Sequence, residues 1–105
     1  MAWIYLLAAG LFEIGWPLGM KYAQTTSYRV TGIAASVLAL AASGFFMWLA
    51  QRDIPMGTSY AIWCGIGTAG TFLTGIWLFG DAGSLMRYAG VSLILAGVVV
   101  LKLAA

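Results

Sequence analysis

One residue of this chain has both the type and the setting for ion chemistry. Glu13 is the only charge between Ala2 and Met20, and an ionisable group in an apolar span is a functional-site hypothesis, because inserting it is costly. A low-dielectric setting favours the neutral acid, so such a carboxyl can trade a proton for a cation. The competing reading is a neutral Glu hydrogen-bonded between helices as structural glue. Glutamine would serve that purpose without an ionisable proton. Helical spacing sets Ala9, Gly10, Trp16 and Pro17 beside Glu13. Gly10 is read as open, site-lining space and Trp16 as an indole N–H with an aromatic face. Pro17 frees a backbone carbonyl one turn back and can kink the helix.

Other candidates lie far away in sequence. Tyr60 and Trp63 are three residues apart, and buried phenol and indole groups need hydrogen-bond partners that a carboxylate could supply. Their rings could also face a bound cation. Ser36, Ala39 and Ser43 form a small-residue stripe, from which Ser43 could reach a polar network around Glu13. A serine in such a helix also commonly bonds its own backbone. Gly65 and Gly67 suit either a helix bend or close packing. Gly90 and Gly97, seven apart, have the spacing of a helix–helix seam, a candidate dimer interface.

Much chemistry is excluded. The chain has no His and a single Cys, Cys64. That removes an internal disulfide framework, the usual structural zinc sites and any imidazole-based triad. No metal, cofactor or enzymatic activity is expected. A net charge of +2 from scattered Lys and Arg gives no surface for nucleic acid.

The elements that must carry these residues follow from the apolar runs. Of 105 residues, 63% are hydrophobic and 8% charged, against about a quarter charged in ordinary soluble domains. A chain this small cannot hide so much apolar surface in its own core, so a bilayer must cover it. Val30 to Gln51 and Ile54 to Gly80 carry no charge, and fourteen uncharged residues separate Arg87 from Lys102. A spanning helix needs about 20 apolar residues. Helices are predicted over 2–22, 30–50, 57–79 and 85–104, as a single four-helix, all-α transmembrane domain filling 1–105.

Gln24–Ser27, Gln51–Pro55 and Gly80–Ser84 read as loops, with Gly80 as a helix stop and Ser84 as an N-cap. The first span lacks the basic leader of a signal peptide, and no alternation suggests a β-barrel. One membrane side would carry Arg52 and Lys102, the other Lys21, Arg29 and Arg87. So even a split leaves two readings: one orientation set by a small bias, or insertion both ways with antiparallel pairing.

These features together resemble the small multidrug resistance family over essentially the whole chain. The resemblance rests on Gly10-Leu11-Phe12-Glu13-Ile14-Gly15-Trp16, Met20-Lys21-Tyr22, the run from Pro55 through Tyr60-Ala61-Ile62-Trp63 to Gly67, and Gly90 to Val98. Trp16, three residues after Glu13, points to the guanidinium-exporter subtype. Pro17 stands where the family usually has a small apolar residue, and Asp81 where it usually has Glu.

The resemblance implies a multi-pass inner-membrane protein, working as an antiparallel, dual-topology homodimer. It further implies that paired Glu13 carboxylates exchange protons for guanidinium, surrounded by Gly10, Trp16, Ser43, Tyr60 and Trp63. The expected partners are protons, a small cation, membrane lipid and a second copy of the chain. Export of quaternary ammonium or lipophilic cationic drugs is the alternative on the same fold, and a non-transporting membrane scaffold is a third reading.

Overall fold

The computed structural model describes residues 1–104. Four helices follow in order: α1 (Ala2–Thr25), α2 (Arg29–Ala50), α3 (Met56–Phe79) and α4 (Leu85–Ala104). All four are long and apolar enough to cross a membrane. The 24 residues of α1 rise about 36 Å at 1.5 Å each, enough to span a hydrocarbon core of about 30 Å.

Helix α1 runs through Pro17 without a break and continues past the expected end near residue 22. The residues read as the start of a loop, Gln24 and Thr25, are its last turn. The hydroxyls of Thr25 and Thr26 donate to the carbonyls of Lys21 and Tyr22, each at 2.8 Å. Hydroxyls bonded back onto the preceding turn occupy carbonyls at the helix end, so this polar run closes the helix instead of interrupting it. At the other boundary Gly80 adopts the left-handed conformation (φ 69°). There the Asp81 N–H returns to the Gly75 carbonyl at 3.1 Å, and the left-handed glycine ends the helix. Ser84 then accepts the Arg87 N–H at 3.3 Å and caps α4.

The helices lie in a thin slab of 44 × 34 × 16 Å. Helix α1 is central, packed most extensively on α2 and next on α3, while the backbone of α4 approaches α3 alone. Small residues permit the closest crossings. A Cβ at Gly32 would come 2.7 Å from the Gly19 carbonyl oxygen, and one at Gly65 would meet Val98 of α4. Gly65 and Gly67, the bend candidates of the sequence, both lie within the continuous helix α3, and both admit neighbouring side chains.

Packing is uneven along the slab. Ala2, Leu6 and Ala9 of α1, Met47 and Ala50 of α2, Ile54 and Ile62 form one buried cluster at the end carrying the 51–55 loop. At this end Arg52 lies over the Trp48 ring and Lys102 over the Trp3 ring, each 4.5 Å from the centroid. Tryptophan and long basic side chains are the usual anchors of a membrane interface. Beyond Glu13, towards the 80–84 loop, clefts lie between α1 and α3. No residue of α4 is buried, and the space beside Gly90 and Gly97 is open.

The α1–α2 crossing generates a stability prediction. Gly32→Leu should destabilise the protein by about 1–3 kcal/mol through overpacking. Gly44→Ala, where an added Cβ meets nothing, should leave stability nearly unchanged. Thermal unfolding in detergent, followed by circular dichroism, compares the two.

Candidate functional site

Helix α1 presents Glu13 towards both neighbouring helices. Trp16, one turn on, donates its indole N–H to Glu13 Oε1 at 2.8 Å. From α2, the Ser43 hydroxyl lies 3.4 Å from Glu13 Oε2 and 2.7 Å from the Ala9 carbonyl oxygen. From α3, the Trp63 indole N–H donates to Ser43 Oγ at 2.8 Å. Ser43 is thus a completely buried junction of three helices.

The hydroxyl has one proton to give, and the shorter distance directs it to Ala9. Its oxygen keeps a second lone pair beyond the one Trp63 uses, which can accept from Glu13 when the carboxyl is protonated. When Glu13 is ionised, Oε2 has only this long contact and is the oxygen open to a cation. Both partners that meet the carboxyl are neutral.

The remaining predicted positions divide. The Tyr60 ring stands edge-on to Trp63 with centroids 5.4 Å apart, and at 56% exposure it joins the network through that ring. Gly10 is corrected. Sequence reasoning makes it open space beside the carboxyl, but a Cβ there would lie 2.7 Å from Ile66 Cγ2, so α3 fills that space. Gly67, read as a bend point, is where Glu13 itself lies: a Cβ would fall 2.5 Å from Glu13 Cγ. Gly90 and Gly97 are on exposed α4 and do not touch this network.

Sequence reasoning missed the wall leading away from Glu13. A cleft of about 470 Å³ is lined by Glu13, Pro17, Cys64, Thr68, Thr71 and Asp81, among others. Cys64, Thr68, Thr71 and Gly75 recur at helical spacing on α3, a signal available beforehand and hidden by the more conspicuous Tyr60–Trp63 pair. The Ala9 carbonyl carried no signal, because any residue has one.

A small cleft lined by the Glu13 and Asp81 carboxyls, with neutral hydrogen-bond donors at Glu13, all inside a four-span membrane chain, suits the binding of a small cation. Comparison with known proteins decides the family. The family model described as "Small Multidrug Resistance protein" matches residues 1–94. The chain belongs to the small multidrug resistance family.

It is a multi-pass transporter of the inner membrane. A protein of Yersinia pseudotuberculosis named guanidinium exporter is 47% identical over 104 residues, covering 99% of each chain. One of the same name from Salmonella typhimurium is 43% identical over 105 residues, covering 100% of this chain and 99% of its own. Another, from Escherichia coli, is 42% identical over 103 residues, covering 98% of this chain and 97% of its own.

The role of Ser43 in this small multidrug resistance protein is open to direct measurement. Ser43→Ala removes the acceptor of the Trp63 N–H and should cost about 1–2 kcal/mol. The change should appear as a lower unfolding midpoint with altered tryptophan emission.

Proposed function

We propose that the chain exports guanidinium by exchanging it for protons, as an antiparallel, dual-topology homodimer whose two Glu13 carboxylates share one site. The observation that carries this reading is the setting of Glu13: Trp16 and Ser43, both neutral, are its hydrogen-bond partners. A carboxyl so placed has no counter-charge among its hydrogen-bond partners and can take either a proton or a cation from outside. Proton and substrate therefore compete for the same oxygens, and loading one releases the other.

Guanidinium fits this chemistry closely. Its planar fork of N–H groups pairs with a carboxylate through two parallel hydrogen bonds, and its face stacks on aromatic rings. Trp16, Tyr60 and Trp63 supply such rings, and the names of the relatives point the same way. A quaternary ammonium has no N–H to donate and would depend on the rings alone.

Pairing is supported by what one chain leaves uncovered. Helix α4 has no buried residue, and Gly90 and Gly97 line up on it with free space beside them. Small residues at that spacing favour close helix association in lipid. The near-even distribution of Lys and Arg between the two sides suits insertion in both orientations. Exchange would proceed by a shift between inward- and outward-open populations, as differently occupied sites favour different states.

In reconstituted vesicles, an imposed pH gradient should drive guanidinium uptake. Glu13→Gln should reduce uptake to the level of protein-free vesicles, with the protein still folded by circular dichroism. Coupled uptake by the Gln variant would refute the exchange mechanism, and tetraalkylammonium transported in preference to guanidinium would refute the substrate.

A further inference from the structure

We propose that Asp81 is an outer cation station, where the substrate is captured before it reaches Glu13, and that Lys21 opposes it there as a competing charge. The inference rests on the cation-export reading above and extends it to the path by which the cation arrives.

The two carboxylates share a single cleft, with Glu13 and Asp81 both in its wall. Their separation follows from α3. Glu13 lies against Gly67, and Asp81 lies against Gly75, where a Cβ would fall 2.5 Å from Asp81 Oδ2. Eight residues of helix place these contacts about 12 Å apart along the axis. Thr71 is halfway between them and lines the same cleft.

The left-handed Gly80 is what brings Asp81 there. It ends α3 and returns the chain so that the Asp81 N–H meets the Gly75 carbonyl. The carboxylate thus folds back along the helix to the cleft instead of extending into the loop. Arg87, the nearest base in sequence, donates to the Ala82 carbonyl at 2.8 Å.

Helix α1 supplies the opposite wall at matching spacing. Glu13, Pro17 and Lys21 are four residues apart in turn, and Lys21 joins Asp81, Pro17 and Thr71 around an adjoining cleft of about 220 Å³. The far end of the slab is filled by the buried cluster around Leu6, Met47 and Ile62. The route from Glu13 therefore opens towards Asp81.

Such an arrangement suits a cation leaving water. A carboxylate at the mouth of a low-dielectric cleft raises the local cation concentration and the capture rate. A site on a transport path must also release what it binds. Lys21 beside the same mouth weakens the field of Asp81 and keeps the station shallow.

The test is initial guanidinium uptake by the full-length protein in vesicles, measured against concentration and salt. Asp81→Asn should raise the half-saturating concentration about threefold or more at low ionic strength, and the difference should shrink as salt screens it. The maximal rate should change by less than about twofold. Asp81→Glu should restore the half-saturating concentration, and Lys21→Gln should shift it the opposite way. An unshifted value for Asp81→Asn, or a shift insensitive to salt, overturns the inference alone. No guanidinium flux in the unmodified protein overturns the proposed function and this inference with it.

Discussion

A carboxyl group in a membrane-spanning helix is costly to insert and depends on the partners its surroundings offer. In this chain its neighbours provide hydrogen bonds and no charge. Trp16 fixes one oxygen, Ser43 stands at a long distance from the other, and Trp63 fixes Ser43. The network orients Glu13 without neutralising it. A Lys in place of Trp16 would instead set a fixed positive charge beside the carboxylate.

Backbone crossings serve that arrangement. Three helices must converge on one side chain, and they approach through glycines and small residues: Gly19 against Gly32, Gly67 against Glu13, Gly10 against Ile66. In lipid such contacts matter more than apolar burial, since exposed Leu and Val are already solvated by acyl chains. This is why the chain tolerates a thin slab with a small core and many exposed large hydrophobic residues. The one compact cluster sits at the 51–55 end, and the cleft beside Glu13 extends towards the other.

The family assignment and the geometry answer different questions. Likeness over 97% or more of the length of three named exporters identifies the kind of protein. It does not explain why Gly67 must be a glycine or how Asp81 comes to share a cleft with Glu13. Those follow from where α3 passes α1 and from the left-handed turn that ends α3.

The four spans and the isolation of Glu13 are readable along the chain. Both are one-dimensional properties: the length of an apolar run sets whether it can cross a bilayer, and an ionisable residue within such a run is visible by position alone. Trp16 was legible too, because helical spacing is local. The ends of the elements were less so, and the polar run at Thr25 belongs to α1 because its hydroxyls bond the preceding turn. Tertiary structure alone decided that Ser43 and Trp63 meet at Glu13, that Ile66 occupies the space beside Gly10, and that Asp81 faces the cleft. Those pairings depend on the rotation and depth at which separate helices pack. In a membrane chain apolar periodicity carries little information about either, since the lipid-facing and protein-facing sides are both hydrophobic.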